Sequence, residues 1–142
     1  MQAQQLIPDL VTYNTLLNGL CMNKQIAEAF SFLHIMEEKG VNPDIITYTI
    51  LIHGLCKVEK LEIARNLCNG LPSKGLRPDV HMYTIIIGSL CEEGLIKEAK
   101  YFLKDMERSG CPPDSVTYQV IIKGLFKRNG LSEAKTLFDE MF

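Results

Sequence analysis

The sequence predicts an all-α solenoid built from stacked helix-turn-helix pairs, and three observations predict it. The dipeptide Pro-Asp occurs at Pro8-Asp9, Pro43-Asp44, Pro78-Asp79 and Pro113-Asp114, each interval being 35 residues. Behind each pair the same text returns: LVTYNTLLNGLC, IITYTILIHGLC, VHMYTIIIGSLC and SVTYQVIIKGLF. Within each copy the apolar residues recur at helical spacing, with no competing alternation of the kind a strand shows. A fixed period of this length marks one supersecondary unit copied along the chain.

The first helix of a unit starts behind its Pro-Asp. Asp9 is suited to N-cap the first copy, and Tyr13, Leu16, Leu17, Leu20 and Cys21 follow at i, i+3, i+4, i+7 and i+8, one apolar stripe. Tyr48, Tyr83 and Tyr118 share the column of Tyr13, and Leu55, Leu90 and Leu125 that of Leu20. A short turn comes next: Asn23-Lys24-Gln25, Val58-Glu59-Lys60, Glu92-Glu93-Gly94 and Arg128-Asn129-Gly130. The second helix carries Ile26, Ala29, Phe30, Leu33 and Met36 in the first copy, with Ala64, Ala99 and Ala134 in register with Ala29. Gly40, Gly75 and Gly110 close the first three units, where glycine fits the left-handed residue beyond a helix end.

The expected division is a tail of a preceding unit at 1–9, then repeats at 10–44, 45–79, 80–114 and an incomplete 115–142. One helix pair cannot bury both its apolar faces alone. Stacking copies buries them, and the expected product is a right-handed superhelix of eight helices.

Charge and composition narrow the function. With 15 Lys+Arg against 17 Asp+Glu the net charge is −2, which excludes a strongly basic surface. No apolar run approaches the roughly 18 residues a membrane span needs. Met1 to Leu10 has no basic n-region, no Arg/Ser-rich amphipathic stretch and no small-residue cleavage site, so no signal or transit peptide is expected there. The five cysteines, 21, 56, 68, 91 and 111, are odd in number and form no C-x-x-C; His34, His53 and His81 lack zinc spacing. Cys21, Cys56 and Cys91 fall 35 residues apart, as one packing slot reused would. The expectation is free thiols, no metal and no cofactor. The motifs of P-loop enzymes, zinc proteases, serine hydrolases and zinc deaminases are missing from the sequence, and no catalytic residue is expected.

One polar face remains to be explained. Val11, Asn14 and Asn18 lie at i, i+3 and i+7, off the apolar stripe; Ile46, Thr49 and His53, then His81, Thr84 and Gly88, then Val116, Gln119 and Lys123 repeat them. The middle residue is always able to hydrogen-bond and changes identity. Base-by-base reading requires such variation, and a solvated helix face tolerates it.

The strings V-T-Y-N-T-L-L-N-G-L-C and A-E-A-F, then M-E-E-K-G-V-N-P-D, strongly resemble the pentatricopeptide repeat family of plant organelles, in its plain P-class, with wording similar to fertility-restorer-like members. The likeness covers residues 10–142. It implies a non-catalytic module that binds single-stranded RNA, one base per repeat, and serves the processing, stability or translation of an organelle transcript, mitochondrial rather than chloroplast. By the same resemblance the base-reading pair is the fifth and the last residue of a repeat: Asn14 with Asp44, Thr49 with Asp79, Thr84 with Asp114, and Gln119 without a partner. The implied word is U-G-G. An aspartate accepts from the ring imide N–H that G and U carry and A and C lack; helix capping alone would also explain these three aspartates. Base wedging falls to Val11, Ile46, His81 and Val116, and phosphate contact to Lys57 and Lys127, with Met22 and Glu92 departing from the lysine. The alternatives are an α-solenoid protein-interaction scaffold, which would show an apolar groove on this face, and a non-functional fragment of a longer array.

Overall fold

The computed structural model describes residues 9–142. Residues 1–8, most of the expected tail at 1–9 and nearly all of the stretch read for a targeting signal, lie outside the described residues. Among the described residues the chain forms eight α-helices and no strand: α1 (Leu10–Met22), α2 (Ile26–Glu38), α3 (Ile45–Lys57), α4 (Leu61–Gly70), α5 (Val80–Glu92), α6 (Ile96–Arg108), α7 (Ser115–Arg128) and α8 (Leu131–Met141). No helix there is long and apolar enough to cross a membrane.

Each first helix starts on an aspartate. Asp9, Asp44, Asp79 and Asp114 accept the backbone N–H of the residue three positions on, Thr12, Thr47, Met82 and Thr117, at 2.9–3.0 Å. At Asp44 and Asp114 the threonine hydroxyl also accepts the aspartate's own N–H, closing a capping box. The second helices have no such side-chain cap. Their entry is fixed by the end of the helix before. Gln25, Lys60 and Leu95 donate their backbone N–H to Leu20, Leu55 and Leu90 five residues back, across a left-handed residue at Lys24, Glu59 or Gly94. The same closure recurs where α2 and α6 end, at Gly40 and Gly110, and at Gly75, where Leu76 bonds back to Leu71. Glu92 is the last residue of α5, so the third inter-helix turn is one residue later than its sequence suggested. α4 has 10 residues where α2 and α6 have 13, because Pro72 offers no N–H and a 3-10 turn over Pro72–Lys74 takes over.

The first helices α1, α3, α5 and α7 pack consecutively as one layer. The second helices cover the other side: α2 contacts α1 and α3, α4 contacts α3 and α5, and α6 and α8 touch each other. Arg65 of α4 is paired with Glu98 of α6. Two columns of each first helix point to opposite neighbours. Leu51, Ile86 and Ile121 form one buried column and Leu17, Ile52 and Ile87 the other. Leu16 was expected in the buried stripe, yet it is 53% exposed, because no described first helix lies on its side. Ile122, at the other end, is 37% exposed for the mirror reason.

Neighbouring first helices approach closely. A Cβ on Gly54 would lie 2.8 Å from Cys21 Cβ, and one on Gly124 would lie 3.0 Å from Cys91 Cβ and 3.1 Å from the Gly88 carbonyl oxygen. At Cys21 and Cys91 the reused cysteine slot is therefore the surface that receives the next repeat's glycine, a column that holds Ser89 beside Cys56. All five cysteines are free.

Candidate nucleic-acid interface

The fifth residue of each repeat does not stand on an open face. Asn14, Thr49 and Thr84 are 8%, 8% and 6% exposed. The solvated helix face that the polar pattern also allowed is therefore not what Asn14, Thr49 and Thr84 form. The next first helix covers Thr49, as it covers its counterparts in α1 and α5. Gln119 has no described first helix beyond it and is exposed.

Burial obliges these polar groups to find partners. Thr47 Oγ1 lies 2.7 Å from Asn14 Oδ1 and 2.9 Å from Asp44 Oδ1. Thr117 Oγ1 lies 3.0 Å from Thr84 Oγ1 and 2.9 Å from Asp114 Oδ1. The fifth and last residues of repeats 1 and 3 therefore converge on one threonine of the following helix, although about 30 residues of chain separate them. In repeat 2 the corresponding residue is Met82, fully buried and without a hydroxyl. Thr49 Oγ1 turns back and donates to the Ile45 carbonyl at 2.7 Å.

The carboxylates are held ionised. Partial burial raises Asp44, but the Thr47 N–H, the Thr47 hydroxyl and the Asn14 amide outweigh it, and the net shift is downward. Asp114 is lowered by the Thr117 N–H and hydroxyl. Both aspartates cap helices and remain acceptors with lone pairs to spare.

Around these junctions stand the other side chains singled out in the sequence. Val11, Ile46, His81 and Val116 are all exposed, three of them aliphatic. Lys57 is exposed. Lys127 is exposed too, but its ammonium lies 3.2 Å from Glu92 Oε1, so the residue that replaces lysine in repeat 3 neutralises the lysine of repeat 4. A cleft lined by His53, Cys56, Lys57, Ser89, Glu92 and Lys127 runs along this side. Burial, then Lys57, then His81 lower the pKa of His53, which leaves it neutral near pH 7. No group of three or more potential metal ligands occurs among the described residues.

The sequence reading passed over the threonine column. Met82 is the member of the column Thr12, Thr47, Met82 and Thr117 that lacks a hydroxyl. The available signal was the Asp-x-x-Thr spacing at Asp44 and Asp114, a hydroxyl three residues past an N-cap, which places that oxygen back over the cap.

Comparison with known proteins agrees with this architecture. The PPR repeat family model matches residues 8–57 and 78–127, and a single PPR repeat model matches 46–76 and 116–142. No curated protein matches the chain by sequence. Among solved structures, the pentatricopeptide repeat protein PPR10 from maize is similar at 31% identity over 99% of this chain, with a TM-score of 0.80. The same protein in complex with an 18-nt psaJ RNA element gives 0.83 at the same identity. The chain spans about a fifth of the length of PPR10, 20% and 21% in the two structures. The PPR domain of Arabidopsis thaliana protein-only RNase P 1, crystallised with tRNA, shares the fold at 16% identity, with a TM-score of 0.68 over 99% of this chain and 74% of that one. With the family model matching more than half of its length, the chain belongs to the pentatricopeptide repeat family.

Proposed function

We propose that the chain is a sequence-specific single-stranded RNA-binding module in which each junction between first helices addresses one base. The observation that carries this reading is the convergence of Asn14 with Asp44, and of Thr84 with Asp114, on a shared threonine. Two polar groups distant in sequence are brought to one spot, with the exposed aliphatic side chains of Val11 and Ile46, at the same register of successive helices, available to flank a flat ring. Such a site can stack a base and address its hydrogen-bonding edge together. That maize PPR10 was crystallised with an RNA element supports the same class of ligand.

Under this reading Asn14 with Asp44 selects U, and Thr49 with Asp79 and Thr84 with Asp114 each select G, giving U-G-G. Val11, Ile46, His81 and Val116 wedge bases, Gln119 addresses a fourth, and Lys57 and Lys127 meet phosphates. The module acts without catalysis, in the processing, stability or translation of an organelle transcript, in the mitochondrion by family likeness.

The test is fluorescence anisotropy with labelled single strands containing UGG, the same strands with UGG replaced by ACC, and the corresponding duplex. Preference for the UGG single strand is the expected result. Equal binding of all three rejects base reading, and binding of none returns the face to a role in protein contacts.

A further inference from the structure

We infer that Thr47 and Thr117 are positioning residues which tie the two base-facing groups of repeats 1 and 3 into fixed pairs, and that Met82 leaves the pair of repeat 2, Thr49 and Asp79, untied. This rests on the RNA reading above and concerns what sets the sharpness of each site.

Thr47 and Thr117 are both fully buried, and each hydroxyl touches both members of a pair. A β-branched side chain has few χ1 choices. Its hydroxyl bonds a carboxylate, and a hydrogen bond with an ionised partner is stronger than a neutral one. The carboxylate is thereby fixed in direction by two donors, the hydroxyl and the backbone N–H of the same threonine. The fifth residue is held by the same oxygen: Thr84 donates its own hydroxyl proton to Thr117 Oγ1, while the single proton of Thr47 is shared between Asp44 Oδ1 and Asn14 Oδ1.

Repeat 2 differs in both respects. Asp79 accepts the Met82 N–H at 2.9 Å, and no side-chain hydroxyl reaches it. Thr49 is bonded only to its own helix. The two groups share no atom through which one could orient the other. A base with the wrong edge meets, at Asn14/Asp44 or Thr84/Asp114, groups that cannot turn away without breaking a buried bond. At Thr49/Asp79 the cap bond from the Met82 N–H alone holds the carboxylate and nothing links it to Thr49, so the second position of the word should discriminate less than the first and third.

The experiment uses the whole chain and four substitutions: M82T, T47V, T47S and T117V. Competition binding with short single-stranded RNAs, each changed at one nucleotide of the UGG word, gives a selectivity ratio at each position. M82T should sharpen the second position about two- to tenfold, the factor expected when one mobile side chain is fixed before binding. T47V should blunt the first position by a similar factor and T117V the third, while T47S, which keeps the hydroxyl, should restore the first. A purely structural role for the threonine would lower affinity for all RNAs alike and leave the ratios unmoved, and that result overturns the inference. Side-chain NMR of the free chain supplies a reading that needs no RNA. Thr84 should occupy one χ1 rotamer, and the Asp79 carboxylate should average over several and become fixed in M82T. An Asp79 carboxylate as rigid in the native chain as that of Asp114 overturns the inference even if M82T folds poorly. Flat ratios at all three positions in the native chain reject the RNA reading itself. Sharp native ratios that none of the four substitutions moves reject only the tie.

Discussion

Lys127 and Glu92 occupy the same register in successive repeats and meet at 3.2 Å across the junction of α5 and α7. Under the proposed RNA reading a lysine at this register meets a phosphate, and here a carboxylate holds it first. The pair is exposed on both sides, so it contributes little to folding.

The first prediction follows from that pairing. Glu92→Lys should strengthen single-stranded RNA binding and steepen its salt dependence, each added phosphate contact contributing roughly −0.7 to the slope of log K against log salt. Stability should change by no more than about 1 kcal/mol. Titrations at several salt concentrations provide the slope, and an unchanged slope would place the RNA path away from Lys127.

Substitutions at Thr49 and Asp79 should separate base preference from folding. Thr49→Asn should shift the second position from G towards U, and Asp79→Asn from G towards A, because an amide can donate to a ring nitrogen that carries no proton. Asp79→Asn should be close to neutral in stability, since Asn caps helices about as well as Asp. Thr49→Asn should cost about 1 kcal/mol, because the side chain is buried and bonded to Ile45. Competition with single-base RNA variants and urea unfolding measure the two effects separately. Capping alone predicts no change in base preference for either variant.

Two glycines in one column should respond oppositely to the same change. Gly54→Ala places a methyl 2.8 Å from Cys21 Cβ and must push α1 from α3, at a cost of about 1–3 kcal/mol. Gly19→Ala has nothing within 4 Å and should stabilise α1 by roughly 0.5–1 kcal/mol. Denaturant midpoints decide it, and equal signs would mean that the helices are not packed as closely as described.

The buried thiols should be slow to react. Burial pushes Cys68, beside Asp105, and Cys91, beside Glu92, up to about 12. At pH 8 both stay protonated, so alkylation should proceed only after unfolding. These acids are raised on folding, so the stability they carry is complete below the ordinary thiol range near 8.5–9 and falls as pH climbs from there towards 12. Mass spectrometry of native and urea-treated samples after iodoacetamide measures the protection. Rapid native labelling of Cys91 would contradict its place under Gly124.

Helix order and the aspartate caps were legible because they depend on neighbours in sequence. Asp9, Asp44, Asp79 and Asp114 each act within their own first turn, and the 35-residue copying gave four readings of the same signal. Burial of Asn14, Thr49 and Thr84 was not legible, because helical spacing reports which side of a helix a residue occupies and not what comes to cover that side. The same limit misplaced Leu16, a residue of the core column whose covering helix is missing from the described stack. The pairing of Lys127 with Glu92 could be read only once the packing of α7 on α5 was known. The threonine tie was not legible because Thr47 and Thr117 meet Asn14 and Thr84 only across the junction between repeats, 33 residues apart in sequence.

Because the next first helix covers the fifth residue and, at Asn14 and Thr84, supplies the oxygen that holds it, a base site under the proposed RNA reading belongs to a seam and not to a repeat. Four first helices enclose three seams, and a unit cut at its helix start carries away half of one site and half of another. Exchanging repeats between arrays therefore transplants specificity only when the cut falls behind the threonine that follows the Pro-Asp. A cut ahead of it hands the fifth residue a stranger's partner, as Met82 already is to Thr49.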